Sequence, residues 1–293
     1  MLIQPVDTKK GKCLYYFRQY AKIKWKERAL KAPAQVVLMT TTFYQNTNML
    51  RYRLACETIS AAVRAGYKIV IVDGSPDPAI RSTFTALGAT VYPEITRGMG
   101  ASRRLVCHLA SEELDPKITT AFVWLEPEKV DMVRWIEKIT APIFRGMTIV
   151  VPNRSENSWR SYPKFQEDSE KKANDIFHEQ TECPLDIMFG PVAFSPEGLD
   201  LMKNQNGKIL GVPDSYIQHY AVVEAIHLHA VTGRWPIGIK KVDVDFIYPP
   251  EQKTEEEAST NDAIRAKRSD QLKTLTDAYE KLGRKNRLRK NDR

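Results

Sequence analysis

The stretch KIVIVDGSPDPAIRSTFTALGATVYPEITRGMGASRR, residues 68–104, contains the pattern that decides the fold. Its apolar run ends at Asp73 and is followed by turn residues, so it predicts a buried strand that stops there. A helical segment at residues 79–87, a short strand and a glycine-spaced helix start with Arg103 and Arg104 come next. Strands that alternate with helices predict a mostly parallel α/β sheet with helices on both faces.

The same alternation continues on both sides of this stretch. Further strands are predicted at residues 35–43, 89–94, 120–129 and 148–154, and further helices at 49–65, 100–112, 166–178 and 216–232. A strand turns into a helix over residues 188–202, and an extended segment at 235–249 is expected to reach the sheet edge. Ligands of such sheets lie beyond the carboxyl ends of the strands. The loops to search are therefore 41–44, 73–77, 97–100 and 126–129.

Both ends of the chain are predicted to be helical extensions. Residues 1–32 contain a basic helix with one apolar face, and residues 251–293 contain a helical arm followed by a basic tail. Gly283 is expected to end the arm, because glycine commonly terminates helices. The apolar face of the first helix consists of Leu14, Phe17, Ala21 and Trp25, and that of the arm of Leu272, Leu275, Tyr279 and Leu282.

The composition limits the class of protein. With 293 residues, of which 42% are hydrophobic, the chain is long enough to bury a sizeable core. Cys13, Cys56, Cys107 and Cys183 are scattered, which is typical of reduced thiols in a cytoplasmic protein. The opening residues lack a secretory signal pattern, and no apolar run reaches the roughly 18 residues that span a bilayer. We expect a cytoplasmic protein.

The charge is unevenly distributed along the chain. Residues 9–31 carry a net +8 and residues 281–293 a net +6, so the rest carries −6 of the total of +8. An acidic body argues against a nucleic-acid partner. The basic N-terminal helix has the composition of a segment that contacts an anionic membrane peripherally. Packing on the body or against another subunit of a homo-oligomer is the alternative, which the aromatic stripe favours.

Several segments, in this order and spacing, resemble nucleotide-sugar glycosyltransferases of the GT-A (Rossmann-like) fold. The nearest likeness is to the family 2-like group of glucosyl-3-phosphoglycerate and mannosylglycerate synthases. The resemblance implies a glycosyltransferase domain at residues 33–250, with a donor-binding half at 33–130 and an acceptor half at 131–250. It also implies transfer of a sugar from a nucleotide sugar, such as a UDP-sugar, to a small-molecule or lipid-linked acceptor. The matching segments are VVLMTTTF (36–43), IVIVDGSPDP (69–78), RGMGASRR (97–104), FVWLEPEK (122–129), FGPVAFSPEGL (189–199) and YIQHYAVVEAI (216–226).

The resemblance assigns the donor site to the strand-end loops. It implies that Asp73 binds the nucleobase or ribose, because a carboxylate accepts N–H and O–H donors. The alternative is a turn aspartate that bonds its own backbone. Gly98 and Gly100 would let the backbone approach the diphosphate at a helix start. The other donor-site candidates are Thr41, Ser75, Arg97, Arg103, Arg104 and Glu126.

The metal-binding position departs from the family pattern. Most of the family holds Mg²⁺ or Mn²⁺ with Asp-x-Asp, whereas this chain has Glu126, Pro127, Glu128 and Lys129. It also lacks the late histidine ligand of the related synthases. Two mechanisms remain open: Glu126 and Glu128 ligate a divalent cation, or Lys129 and the arginines supply the positive charge without a metal. A degenerate pseudoenzyme with a solvated acidic turn is the third alternative.

The acceptor site is predicted in the acceptor half. The segment NRSENSWRSYPKF (153–165) mixes charge with an aromatic platform in an expected mobile loop, where Trp159, Arg160 and Lys164 are the candidates. By resemblance, Gly190 forms the acceptor-side turn and Glu224 is the acidic residue of the following helix. Asp214 and Glu224 are the acids predicted to contact an acceptor hydroxyl, beside Glu128 and Lys129 as catalytic residues.

Two other classes of function compete with a glycosyltransferase. A noncatalytic protein that binds nucleotide sugars or a partner can keep the same fold, because the fold alone does not determine function. A nucleotidyltransferase would have a glycine-rich loop after the first strand, but TTTFYQNTN (40–48) contains no glycine. The sequence therefore favours a glycosyltransferase or a noncatalytic binding protein over a nucleotidyltransferase.

Overall fold

The computed structural model describes residues 34–115, 117–232, 238–258 and 262–291. The predicted N-terminal helix of residues 1–32 lies outside these ranges. Within them, no helix is long and apolar enough to cross a membrane.

The described residues form one seven-stranded sheet with the spatial order β3-β2-β1-β4-β6-β5-β7. Strand β6 is antiparallel to β4 and β5, and the other neighbouring strands are parallel. The predicted mostly parallel sheet is therefore confirmed. The strands are β1 (Ala34–Thr42), β2 (Lys68–Asp73), β3 (Thr90–Pro93), β4 (Thr119–Trp124), β5 (Ile149–Arg154), β6 (Val192–Phe194) and β7 (Ile239–Val244).

Helices connect the strands and follow the last of them. They are α1 (Leu50–Arg64), α2 (Pro78–Ala86), α3 (Met99–Ser111), α4 (Ile136–Thr140), α5 (Glu156–Ser161), α6 (Lys164–Thr181), α7 (Pro196–Lys203), α8 (Gly207–Leu210), α9 (Ile217–Thr232), α10 (Pro250–Ala258) and α11 (Asp262–Asn291). Short 3₁₀ helices cover Val130–Trp135, Ile143–Arg145 and Ile187–Phe189. Local sequence explains several boundaries: at α2, for example, Asp77 caps the helix by accepting the Ala79 N–H, and Pro78 occupies the first turn.

The strands bury both faces of the sheet, because successive side chains point to opposite sides. On one face, Val37 and Met39 of β1 belong to a cluster with residues of α3, α7 and α9. On the other face, Leu38 belongs to a cluster with residues of α1, α2 and α4. The expected helices on both faces are therefore present.

The strand register collects the loops of interest at one edge. Strand β1 lies between β2 and β4, with Thr42 opposite Asp73 and Met39 opposite Trp124. Because these three strands are parallel, their carboxyl ends meet at the same edge of the sheet. Loops 41–44, 73–77 and 126–129 follow these ends directly.

Two local predictions are wrong. Gly283 lies inside α11 instead of ending it; a side chain there would approach Gln180 Oε1 to 2.8 Å, so the glycine permits close packing of α11 on α6. The segment 153–165 is not a loop, because it contains α5, whose Ser155 cap accepts the Ser158 N–H.

Candidate functional site at the carboxyl edge of the sheet

Asp73 ends β2 as a fully buried carboxylate. It accepts hydrogen bonds from Thr42 Oγ1 at 2.7 Å and from Ser75 Oγ at 2.6 Å. Arg81 Nη1 lies 3.3 Å from its second oxygen, as does the Ser75 backbone nitrogen. This is the geometry of a turn aspartate, one of the two alternatives that the sequence left open. Thr41 lies one residue before Thr42 and is half-buried.

A chain of contacts connects Asp73 to the acidic turn, defined as residues 126–129. The Ser75 hydroxyl that bonds Asp73 also accepts the Tyr44 backbone N–H at 2.9 Å. The Tyr44 hydroxyl donates to Glu128 Oε1 at 3.1 Å, and Arg51 Nη2 lies 2.9 Å from the same oxygen. Burial and then the charge of Glu128 raise the pKa of Tyr44, so its hydroxyl remains a donor. Hydrogen bonds through loop 41–44 thus connect the ends of β2 and β4.

The acidic turn holds its two glutamates apart on different cations. Glu126 Oε2 lies 3.3 Å from Lys129 Nζ, whereas Glu128 pairs with Arg51. Glu126 has a side chain 40% exposed, and Glu128 only 12%. Gly190 has φ +98°, and a side chain there would meet Glu126 Oε1 at 2.5 Å. Gly190 therefore makes room for Glu126.

Lys129 is buried inside an aromatic cage. Its Nζ lies 5.0 Å from the Phe189 ring and 5.5 Å from the rings of Tyr162 and Phe246, and it donates to Tyr162 Oη at 3.2 Å. Burial opposes its charge, but the negative charges around it, including that of Glu126, prevail and raise the pKa of Lys129. The side chain is a permanent cation beneath the acidic turn, only 9% exposed.

The acidic turn offers two carboxylates to a divalent cation, those of Glu126 and Glu128. Among the described residues, no three His, Cys, Asp or Glu side chains converge in a way that could hold a metal ion. Mg²⁺ can be held by one or two carboxylates together with substrate phosphates and water, but both glutamates of the acidic turn are paired with basic side chains. Ligation of a divalent cation by Glu126 and Glu128 would therefore compete with these ion pairs, and it stays a prediction.

The glycine-spaced start of α3 differs from the expected phosphate cradle. Gly98 has φ +130° with open space around it, and Arg97 is exposed. The Gly100 N–H is not free for a phosphate, because it donates to the Asp214 carbonyl at 3.0 Å. A side chain at Gly100 would lie 2.5 Å from Asp214 Cγ, so this glycine permits a close contact within the protein.

Arg104 and Asp214 form a bidentate ion pair with both N–O distances at 2.7 Å. The Arg104 hydrogen bonds are the main reason why the pKa of Asp214 lies below its usual range. Asp214 also accepts the Gly207 N–H at 3.0 Å. The pair joins α3 to the loop before α9. Arg104 and Asp214, predicted at the diphosphate and at the acceptor hydroxyl, are thus partners of each other here, and both roles stay predictions.

Arg103 points into the protein, between the rings of Trp124 and Tyr216 at 4.8 and 5.1 Å from its guanidinium carbon. It donates to Gln218 Oε1 at 2.7 Å and to the Ser215 carbonyl at 3.0 Å. Burial lowers the pKa of Arg103. The side chain links β4, α3 and α9 inside the core, and its predicted contact with a diphosphate stays a prediction.

The segment expected to form the acceptor platform is mostly buried. Trp159 is 7% exposed, and its ring packs against the Arg154 guanidinium at 3.6 Å. Arg154 pairs with Asp186 at 2.7 Å and with Glu170 at 2.6 Å. Trp159 is therefore part of a buried ionic cluster and not an open platform, because its ring covers the buried Arg154 guanidinium. Arg160 and Lys164 are exposed.

Glu224 is separated from the other candidates. It lies on α9, six residues after Gln218, which corresponds to about 9 Å along the helix axis. No hydrogen bond or ion pair between Glu224 and another candidate is recorded in the described part of the chain. Its predicted role stays a prediction.

Arg51 and Tyr44 are the residues at this edge that sequence reasoning missed. Tyr44 belongs to a strand-end loop that was singled out, and Arg51 occupies the first turn of the helix that follows it. The available signal was a basic residue in the first turn of the helix that follows a strand-end loop. Their contact with Glu128, 77 or more positions away, appears only in the folded chain.

Two surface depressions, of about 550 and 640 Å³, lie outside the candidate site. The first is lined by residues including Ala61, Tyr67, Asp131 and Arg134, and the second by residues including Leu50, Arg53, Glu251 and Thr254. Neither includes a predicted site residue.

No protein-family model and no curated protein matches the sequence. Among solved structures, glucosyl-3-phosphoglycerate synthase from Mycobacterium tuberculosis in complex with UDP is similar, with 13% identity, a TM-score of 0.50 and coverage of 84% of this chain and 80% of that chain. The same synthase with Mn²⁺, UDP and glucosyl-3-phosphoglycerate has 13% identity, a TM-score of 0.50 and 86% coverage of both chains. At this identity the similarity shows the fold, which is the GT-A fold that the sequence predicted.

Proposed function

We propose that the protein is a nucleotide-sugar glycosyltransferase whose donor binds across the carboxyl ends of β1, β2 and β4. The observation that carries the proposal is the chain of contacts from Asp73 through Ser75 and Tyr44 to Glu128 and Arg51. A polar loop suited to a nucleoside and a basic side chain suited to a diphosphate are thereby linked, which supports the proposal. The GT-A fold supports this reading, since ligands of open α/β sheets lie beyond the strand ends.

The reaction follows from these parts. The bond between the anomeric carbon and the diphosphate oxygen breaks, and its electron pair stays on the diphosphate. The acceptor oxygen bonds the anomeric carbon, and the acceptor proton passes to a base. Arg51 and the buried Lys129 stabilise the negative charge that develops on the leaving diphosphate. Glu126, with the more exposed carboxylate of the turn, is the group best placed to meet an acceptor hydroxyl.

The donor and acceptor classes are proposed from the likeness in fold. The similar synthase was solved with UDP and with glucosyl-3-phosphoglycerate. We therefore propose a UDP-sugar donor and a small-molecule acceptor, with a lipid-linked acceptor as the alternative. The donor half at residues 33–130, the acceptor half at 131–250 and a cytoplasmic location belong to the same proposal. No nucleic-acid partner is included, and membrane contact or homo-oligomerisation through residues 1–32 stays a prediction.

Release of nucleoside diphosphate tests the function. The purified protein is incubated with UDP-, GDP- or ADP-glucose and a panel of small hydroxy acids and phosphorylated acceptors, and the freed nucleoside diphosphate is measured. Acceptor-dependent release supports the proposal. Donor binding without release under any condition favours a noncatalytic nucleotide-sugar-binding protein. The observation that supports this alternative is the pairing of both glutamates of the acidic turn with basic side chains.

A further inference from the structure

The acidic turn is electrically neutral without any metal ion. Its two carboxylates, Glu126 and Glu128, are balanced by Lys129 and Arg51 at 3.3 and 2.9 Å. A divalent cation bound to both carboxylates would lie close to both basic groups. Like charges so close together repel strongly at the edge of a protein. The turn is consequently built to hold fixed side-chain cations.

Of these two cations, Arg51 is the one that a ligand can reach. Its side chain is 49% exposed, whereas that of Lys129 is 9% exposed. The contact with Glu128 uses Nη2, and a guanidinium carries five N–H donors in a planar fork. That fork matches the geometry of a phosphate group and remains charged at every physiological pH.

The position of Arg51 is set by its surroundings. Glu128, only 12% exposed, is held by the Tyr44 hydroxyl, and the same carboxylate oxygen pairs with Arg51. The Tyr44 ring packs edge-on against Tyr52 at 6.0 Å and against Phe84 at 6.3 Å. Tyr52 lies on the same helix as Arg51 and is buried. The cation is therefore pre-organised at the strand ends, which is the requirement for stabilising charge without reorganisation.

We propose that Arg51 takes the place of a divalent cation in this protein. It binds the diphosphate of the nucleotide directly and balances the charge left on it when the glycosidic bond breaks. Nucleotide binding and sugar transfer consequently need no added metal. This inference rests on the proposed function, because it assigns a role at the same site.

Calorimetric titration of the full chain with UDP in EDTA, and separately in Mn²⁺ after removal of EDTA, tests the inference. The wild type is expected to bind with the same affinity, within twofold, in both buffers. Arg51→Met removes a charge-assisted contact and is expected to weaken binding about tenfold to a hundredfold in both. Arg51→Lys keeps the charge without the fork and is expected to be intermediate. Arg53→Met, an exposed arginine two positions along α1, is the matched control and should change nothing.

The outcomes separate the inference from the function on which it rests. If the wild type binds UDP only in Mn²⁺, the inference is wrong while the proposed function stands. If Arg51→Met binds UDP as the wild type does, with an unchanged thermal midpoint, Arg51 is not a diphosphate ligand. If UDP, GDP and ADP all fail to bind in both buffers, the proposed function itself fails. Titration with Mn²⁺ alone should give no binding heat in the wild type.

Discussion

Replacing Arg154 with methionine tests the buried ionic cluster behind the site. The Arg154 side chain is fully buried, and its guanidinium contacts Asp186 twice at 2.7 Å and Glu170 once at 2.6 Å. Both carboxylates are also nearly inaccessible, so the substitution leaves two buried negative charges without their cation. Removing one partner of a buried pair costs about 3–5 kcal/mol. We expect a loss of about 4 to 5 kcal/mol in the free energy of unfolding.

Urea unfolding followed by tryptophan fluorescence measures this loss. If it comes from the stranded carboxylates, then Arg154→Met combined with Glu170→Gln and Asp186→Asn should recover more than half of it, because neither carboxylate is then left charged without Arg154. Lys164→Ala is the control: it removes the exposed ion pairs with Glu167 and Asp168 and should not change stability measurably. A cost below about 1 kcal/mol for Arg154→Met would refute the reasoning.

Three further predictions follow from single positions. Gly190→Ala is expected to lower the free energy of unfolding in urea by about 1–3 kcal/mol, because an alanine at φ +98° is strained and its side chain displaces Glu126. It should also slow the release of nucleoside diphosphate in the transfer assay. Gly211→Ala, with φ +74° and open space, should show only the cost of the backbone strain. Burial lowers the pKa of His219 to about 3. Below pH 6.5 His219 therefore takes up a proton in the unfolded chain, whereas in the folded chain it stays neutral down to about pH 3. The free energy of unfolding should fall as the pH is lowered through this range, by up to about 1.4 kcal/mol per pH unit, and His219→Gln should reduce this slope. Asp73→Asn is expected to weaken UDP binding roughly tenfold in calorimetry, because the carboxylate orders the loop through Ser75; unchanged affinity in a folded variant would remove it from the site.

Local sequence patterns predicted the elements and the edge where the site lies. Continuous apolar runs marked β1, β2 and β4, and longer helical stretches between turn residues marked α1, α3 and α9. Their alternation was sufficient for a parallel sheet with helices on both faces, because a parallel pair requires a crossover connection. The strand-end loops followed from this order, and Tyr44, Asp73 and Glu128 lie in three of them.

The partners of the charged residues were decided by tertiary structure alone. Arg104 and Asp214 were each predicted to contact a ligand. The fold pairs them with each other instead, although 110 positions separate them along the chain. Trp159 looked like an open platform until the fold placed it on Arg154. Gly283, a helix stop by composition, became a packing position against α6. The pairing of Arg51 with Glu128 joins the start of α1 to the end of β4. Backbone periodicity depends on neighbours within a few residues, whereas the choice of a counter-ion depends on which distant charges the fold brings within about 4 Å.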